Sequence, residues 1–381
     1  MNQHTKINPN HFVGIDLLRF FAAILVMWFH FVFLIGAEKN GYSAIVSHGV
    51  VSFHELNDLS QFGWVGVEIF FVISGFVIAF SGEKASPFGF VVSRIVRLAP
   101  AVWICASITF LALIYTQSHL GKLYYLYPYI NSVVFFSLGS QIDASYWTLG
   151  IEITFYFLVF MLILYGKFRW IKRLSIIIGI LSSLYCIYMT FAMYVDEQNW
   201  LLLWTFQRRI LDLCLFRHGM FFAIGVILWM DLTKHSNYSN KIWLLIFLMA
   251  GCFEIVLETK WLNMRTGYNY SPSIAIYIWL VAILLIIIFV RFNSIIHSLP
   301  QWFLLSLRTI GLMTYPLYLL HQGIGSALMG KLINNDLPRY YSLSSAIVLC
   351  IFLAFAVTKY FEPTLQSKTK TLLLRFRTRF V

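Results

Sequence analysis

The sequence is poor in charged residues, which make up 12% of its 381 positions. A soluble chain of this length would carry roughly a quarter charged residues, most of them on its surface. Here 60% of the residues are hydrophobic and the mean hydropathy is +0.76. The shortage of charge therefore excludes an ordinary water-soluble domain and indicates that lipid is the main solvent of the chain.

Cysteine is also scarce, and its five residues show no CxxC spacing. All of them lie in apolar runs, at Cys105, Cys186, Cys214, Cys252 and Cys350. This excludes a thiolate metal site and a disulfide framework, and we expect inert packing residues because apolar surroundings disfavour the reactive thiolate. The scattered His, Asp and Glu residues form no recognisable ligand set either, so no metal site is predicted.

What the sequence has in place of charge is a series of apolar runs close to the ~20 residues that cross a bilayer. Ten runs are candidates, at 15–35, 63–80, 98–115, 146–165, 174–194, 210–230, 242–257, 273–290, 309–329 and 343–361. The second and seventh are short, which is compatible with tilted or re-entrant segments. A further stretch, 127–138, is too short to span and is expected at the interface. The fold class predicted is all-α, a polytopic transmembrane bundle of about ten helices, with the first run retained as a span.

Basic residues are distributed unequally between the connecting segments. With the N-terminus on the cytoplasmic side, 18 of the 28 Lys and Arg residues fall in cytoplasmic segments and 8 in external ones. This excess predicts that both termini are cytoplasmic. Residues 1–366 are expected to form one transmembrane domain, and residues 367–381 a basic amphipathic tail on anionic lipid. Lipid contact explains this tail better than nucleic-acid binding, and the charges behind the net +12 lie mainly between the apolar runs.

Two ionisable residues in the first run are the strongest chemical signal. Arg19 and His30 are eleven positions apart, which places them on one helix face about 16.5 Å apart along the axis. Arg19 could simply extend its guanidinium to lipid head groups. His30 is harder to explain in this way, because an imidazole on an apolar face suits a general base.

Two carboxylates are predicted to lie at a depth similar to that of His30. Glu68 and Glu152 each lie five or six residues inside a span that begins on the outer side. One of them beside His30 would orient the imidazole and stabilise its protonated form. The alternative is a structural pair with Arg217 or His218 in the sixth span, which for Glu68 is an equally good interpretation.

Three further segments combine polar groups with apolar surroundings. Residues 63–76 mix small and bulky residues, which allows close helix approach with a possible break at Gly75. Arg94 and Arg97 are one turn apart, a spacing that suits phosphate recognition as well as ordinary anchoring at the cytoplasmic face. Residues 315–321 place Tyr315, Tyr318 and His321 within one span, where they line a cavity or join helices.

Taken together, these segments resemble the acyltransferase type 3 superfamily of integral membrane O-acyltransferases, which includes bacterial O-antigen and exopolysaccharide O-acetylases. The resemblance covers nearly the whole chain and rests on five segments in the family's order, at 14–30, 63–76, 94–100, 146–152 and 315–321. Three positions depart from the family pattern: Glu68 stands where Asp is more frequent, Thr148 where Ser is common, and Pro316 lies within the final segment.

The resemblance implies an O-acyltransferase of the bacterial inner membrane. Acyl-CoA, usually acetyl-CoA, would be a co-substrate from the cytoplasm rather than a permanently bound cofactor, and the acceptor a hydroxyl of a cell-surface polysaccharide or lipid-linked glycan. His30 would act as base or acyl carrier, with Glu152 and Glu68 as its partners. The coenzyme phosphates would be held by Arg19, Arg94 and Arg97. Substrate contacts are expected from Trp147, Tyr315 and His321.

Two other classes of function fit the intramembrane charges. A polytopic transporter or flippase for a lipid-linked sugar would also place ionisable residues along its substrate pathway, although no inverted repeat is visible. A non-catalytic membrane scaffold or sensor is the second. Release of coenzyme A from acyl-CoA distinguishes the enzyme from both.

Overall fold

The structure describes residues 11–117, 122–196, 204–234 and 236–380, and within these ranges the chain consists of helices joined by turns and loops, with no strand. The structure is a computed structural model. Its longer helices are α1 (Val13–Trp28), α2 (Gly66–Gly82), α3 (Pro87–Thr116), α4 (Lys122–Val133), α5 (Trp147–Leu164), α6 (Ile171–Val195), α7 (Gly219–Thr233), α8 (Tyr238–Thr266), α9 (Ser273–Arg291), α10 (Gln301–Leu320), α11 (Ser326–Asn334), α12 (Arg339–Ala356) and α13 (Glu362–Phe380).

Shorter segments join or extend these helices. Three π-helical segments, Phe29–Leu34, His321–Gly325 and Val357–Phe361, continue α1, α10 and α12. Short helical segments of three to six residues occur at Ile35–Ala37, Tyr42–Val46, His54–Leu59, Gly63–Val65, Ala144–Tyr146, Phe168–Trp170, Arg209–Leu213 and Asn293–Ile296. The long helices begin and end at clear signals: Ser86 caps α3 through the Gly89 amide with Pro87 in the first turn, and α8 ends at Gly267 in the left-handed conformation.

Among the described residues, nine helical stretches are long and apolar enough to cross a membrane, and the sixth predicted span is a shorter apolar helix, α7. The prediction of an all-α bundle with about ten spans is therefore confirmed. The assignment of the short spans was wrong for the seventh, because α8 has 29 residues. The short one is α7, whose 15 residues reach about 22 Å, less than the ~30 Å of a hydrocarbon core.

Helix α7 tolerates this length because it lies inside the bundle. Every residue from 219 to 229 is buried, and the helix packs against α2, α6 and α8. The contact with α2 is very close: a methyl group added at Gly75 would lie 2.2 Å from the Phe222 carbonyl oxygen, and one at Gly225 would lie 2.0 Å from the Val72 carbonyl oxygen. Gly75 therefore permits close approach, and α2 continues through it without a break.

Other predictions concern the periphery. The stretch 127–138, predicted to be too short to span, begins within α4, a helix of 12 residues that ends at Val133 and packs against α3. The basic tail continues the chain as α13, with Leu372 and Leu374 exposed; residues 1–10 and 381 lie outside the described residues, as do the side chains of 376–380. Of the five cysteines, Cys214 is exposed, so its assignment as a buried packing residue was wrong.

Candidate active site

Two cavities follow one another along α1, and the predicted site residues are divided between them. The first, of about 490 Å³, contains four arginines; we call it the arginine cavity. It contacts the first turns of α1, and its charged lining residues are Asp16, Arg19, Arg94, Arg97, Glu152 and Arg308. Four guanidinium groups against two carboxylates give this cavity an excess of positive charge, which suits an anionic ligand.

The second cavity, of about 360 Å³, contains His30, and we call it the histidine cavity. It contacts the last turns of α1 together with the π-helical segment that follows. Aromatic groups form much of its wall: Phe29, Tyr42, Trp64, Trp147, Trp261 and Tyr318. A wall of aromatic faces with charged groups between them suits a ligand that has both hydroxyls and C–H faces.

Two residues line both cavities, Val67 on α2 and Tyr318 on α10. The Tyr318 hydroxyl accepts a hydrogen bond from Thr148 Oγ1 at 3.2 Å. Val67 and Tyr318 thus stand at the boundary between the arginine cavity and the histidine cavity.

The partner of His30 is His321, which comes from the other end of the chain. His30 Nδ1 lies 2.8 Å from His321 Nε2, and the two ring centroids are 5.0 Å apart. Each imidazole belongs to a π-helical segment, and these segments pack against each other. A π-helical turn re-aims its side chains relative to an α-helix, and such turns occur frequently at functional sites.

The hydrogen bonds of His321 fix the tautomers of both rings. His321 Nδ1 lies 2.9 Å from the Tyr318 carbonyl oxygen and 3.2 Å from that of Leu317, and a carbonyl only accepts. Nδ1 of His321 therefore carries the proton, and its Nε2 accepts from His30 Nδ1–H. This leaves the lone pair on His30 Nε2, and His30 lines the histidine cavity. An imidazole oriented in this way has the arrangement of the base in a catalytic triad, with the His321 imidazole in place of the carboxylate.

The residues that hold the His321 segment in place were not predicted from the sequence. Asp143 Oδ2 accepts from the Gly323 amide at 2.6 Å, and Oδ1 accepts from the Ser145 amide at 2.9 Å. Ser145 Oγ lies 2.9 Å from the Tyr318 carbonyl oxygen that also binds His321. Burial raises the pKa of Asp143 to about 6, with the hydrogen bonds from Ser145 and Gly323 acting against this shift. The signal in the sequence was an Asp-x-Ser turn directly before a span.

The two predicted carboxylate partners lie elsewhere. Glu152 lines the arginine cavity and accepts hydrogen bonds from Ser74 Oγ at 2.7 Å and from the Tyr156 hydroxyl. Equal depth in the bilayer did not bring this side chain to His30, because the helix presents it to the first cavity.

Glu68 does line the histidine cavity, yet its near neighbour is another residue. Its Oε2 lies 3.4 Å from His218 Nδ1, which is the alternative pairing expected from the sequence. Glu254 comes to the same place, so that Glu68, His218 and Glu254 form a buried group with metal-ligand chemistry.

All three predicted phosphate-binding arginines line the arginine cavity. Arg19 is 4.0 Å from Asp16 and Arg97 is 4.0 Å from Glu362. The Arg94 guanidinium lies over the rings of Phe90 and Tyr156, at 5.5 and 5.7 Å from their centroids. Contacts this long leave most of the guanidinium N–H groups available to an anionic ligand.

The three residues predicted to contact substrate lie in different places. Trp147 lines the histidine cavity, with the Arg209 guanidinium 5.7 Å from its ring centroid. Tyr315 lines the arginine cavity beneath Arg97, at 5.6 Å. His321 is buried behind His30, where it contacts the other histidine.

Comparison with known proteins places the chain among membrane acyltransferases. A family model described as an acyltransferase domain matches residues 12–360. The chain is similar to Nodulation protein 10 of Rhizobium leguminosarum bv. viciae, at 30% identity over 206 residues, which is 47% of the chain and 50% of that relative. The match thus spans about half the length of this curated relative. No solved structure matches the chain.

Proposed function

The chain belongs to the acyltransferase family whose model matches residues 12–360, and on that premise we propose that it moves an acyl group from cytoplasmic acyl-CoA to a glycan hydroxyl. Acetyl is the expected acyl group. The acceptor is a cell-surface polysaccharide or its lipid-linked precursor, and the membrane is the bacterial inner membrane. That the chain is a multi-pass membrane acyltransferase follows from its family and its apolar helices.

The observation that carries this proposal is the pairing of His30 with His321. In the proposed reaction, His30 Nε2 takes the proton of the acceptor hydroxyl as its oxygen attacks the thioester carbonyl. The C–S bond then breaks, the new ester forms, and the imidazolium returns the proton to the leaving thiolate. His321 is a positioning residue: it holds the tautomer that leaves Nε2 free, and its hydrogen bond strengthens when His30 becomes charged.

The arginine cavity supports the donor assignment. Coenzyme A carries phosphate groups at one end of a long flexible arm and the thioester at the other. Arg19, Arg94 and Arg97 line one cavity, and His30 lines the next. Phosphates held by the arginines would let the arm extend past Tyr318 and bring the thioester to His30.

The histidine cavity supports the acceptor assignment. Its aromatic wall contains Trp147, and carboxylate and guanidinium groups lie beside it. Sugars present C–H faces that pack on aromatic rings and hydroxyls that hydrogen-bond to charged groups. A glycan hydroxyl is therefore the acceptor that this wall suits best.

The direct test is release of coenzyme A from acetyl-CoA by purified protein in lipid nanodiscs, with and without a surface-glycan extract. We expect glycan-dependent release by the native chain, a loss of about 100- to 10,000-fold in His30→Ala, and unchanged release in His54→Ala, a matched loss of an exposed imidazole. Transfer that survives His30→Ala in folded protein would refute the assignment of the base.

A second readout separates the two roles left open for His30. Rapid quenching with labelled acetyl-CoA in the absence of acceptor would trap label on the protein if His30 carried the acyl group itself. We expect no label on the protein, because in the proposed reaction the acceptor oxygen attacks the thioester and no bond forms between His30 and the acyl carbon. Stable label that disappears in His30→Ala would establish an acyl-enzyme instead.

A further inference from the structure

A buried group of three side chains beside the histidine cavity has no role in the transfer chemistry described above. Glu68 comes from α2, His218 immediately precedes α7, and Glu254 lies on α8. One ligand atom of each lies within 4.8 Å of the others. Their exposed fractions are 2%, 1% and 0%, so water does not solvate these groups from the surface.

The spacing of the ligand atoms fits a small cation. His218 Nδ1 is 3.4 Å from Glu68 Oε2 and 3.8 Å from Glu254 Oε1. Around a tetrahedral ion with ligand bonds of about 2.1 Å, neighbouring ligand atoms lie about 3.4 Å apart. Both distances from His218 Nδ1 lie within a few tenths of an ångström of this value, and all three ligand atoms lie within 4.8 Å of one another.

Four buried polar atoms of this group lack hydrogen-bond partners among the described residues. Glu68 Oε2, both ring nitrogens of His218, and Glu254 Oε2 are buried and have no hydrogen-bond partner within the part of the chain that the structure describes. Buried polar atoms without partners are rare and costly, and each calls for an explanation. A bound cation would supply a partner to both carboxylates and to one nitrogen at once.

The charges around this group also favour a bound cation. Arg217 is 3.4 Å from Glu254 and forms an ion pair with Glu258 as well. When Glu68, Glu254 and Glu258 are ionised, their three negative charges face one guanidinium, which leaves two charges unbalanced. Unpaired charge is costly in the interior of a membrane protein, and a divalent cation would balance it.

We propose that Glu68, His218 and Glu254 bind a divalent cation of the zinc type. An imidazole with carboxylates suits Zn²⁺ better than Mg²⁺ or Ca²⁺, which prefer oxygen ligands alone. Glu68 and His218 line the histidine cavity, so the proposed cation would lie at its wall. The sequence alone predicts no metal site because these ligands are 150 and 36 positions apart, which matches no ligand-spacing motif.

The experiment measures metal in the purified full chain, in detergent, after tag removal and dialysis against buffered zinc. We expect about one zinc per chain by mass spectrometry of the metal. The X-ray absorption fine structure of the zinc should show oxygen and nitrogen neighbours and no sulfur. His218→Ala and Glu254→Gln should each lower the zinc content at least tenfold. The matched controls His54→Ala and Glu83→Gln should retain it.

A second measurement protects against variants that fail to fold. The thermal midpoint of the native chain should rise with added zinc and fall with a chelator, and Glu254→Gln, if it elutes like the native chain, should not respond. A native chain that takes up no metal and shows no zinc-dependent midpoint would overturn the proposal and leave protons as the balancing charges. Metal that persists in both ligand variants would equally overturn it.

Discussion

The pairing of the two histidines makes a quantitative prediction for His321→Ala. The change removes the acceptor of His30 Nδ1–H, which lies 2.8 Å away, and with it the constraint on the tautomer. His30 itself keeps its place at the end of α1 and its access to the histidine cavity. The loss should therefore appear in kcat rather than in KM for acetyl-CoA, since the arginine cavity is untouched.

The magnitude follows from the strength of the lost hydrogen bond. In the transition state the donor is an imidazolium, and a hydrogen bond to a charged group contributes about 1.5–3 kcal/mol. At about 1.4 kcal/mol for each factor of ten in rate, kcat should fall about 10- to 150-fold. This loss is smaller than that expected for His30→Ala, because the base itself is still present.

The assay is glycan-dependent release of coenzyme A by folded protein, checked by size exclusion and thermal unfolding. His321→Gln, whose amide oxygen can still accept, should recover part of the rate. The double variant His30→Ala with His321→Ala should be no slower than His30→Ala alone, because His321 acts only through the imidazole of His30. Native kcat in His321→Ala, or additive losses in the double variant, would refute the reasoning.

Four further predictions follow. Arg94→Ala should raise KM for acetyl-CoA about 10- to 150-fold with kcat within about twofold, while Arg291→Ala, at the exposed end of α9, should change neither. Glu152→Gln should change KM for acetyl-CoA more than kcat, because the Glu152 carboxylate lines the arginine cavity. A loss in kcat as large as that of His30→Ala would instead indicate that Glu152 is the partner of the base. Gly75→Ala should destabilise the chain by about 1–3 kcal/mol in thermal unfolding, because the new methyl group meets a carbonyl oxygen of α7 at 2.2 Å. The pKa of Asp143 is raised from the ordinary 3.8 to about 6, so ionisation of this carboxyl is less favourable in the folded chain than in the unfolded one. The free energy of unfolding should therefore fall as the pH rises from about 4 to about 6, and level off above pH 6. An equally steep fall in Asp143→Asn would contradict this.

The sequence was sufficient for the helices and for the separate reactive groups. Apolar runs of bilayer length predict spans because a backbone in lipid must satisfy its own hydrogen bonds. Ionisable residues stand out against such runs, which is why His30 and the arginines are recognised as candidate site residues from the order of the amino acids alone. These signals are local, and each can be recognised within one helix.

The direction in which each side chain faces in the bundle could not be predicted in this way. Depth counted along a span placed Glu68, Glu152 and His30 at one level, but the rotation of each helix sent Glu152 to the arginine cavity and Glu68 to His218. The shortness of α7 was likewise hidden, since its apolar pattern continues into residues that do not extend the helix.

The sequence by itself determined that the chain is a membrane protein, about how many spans it has, and which residues are chemically unusual in lipid. Tertiary structure alone decided which of them meet. His30 and His321 are 291 positions apart, and Glu68, His218 and Glu254 come from three places in the chain. Hydrophobic periodicity records whether a residue faces lipid or protein, whereas the choice of partner depends on packing between helices that are distant in sequence.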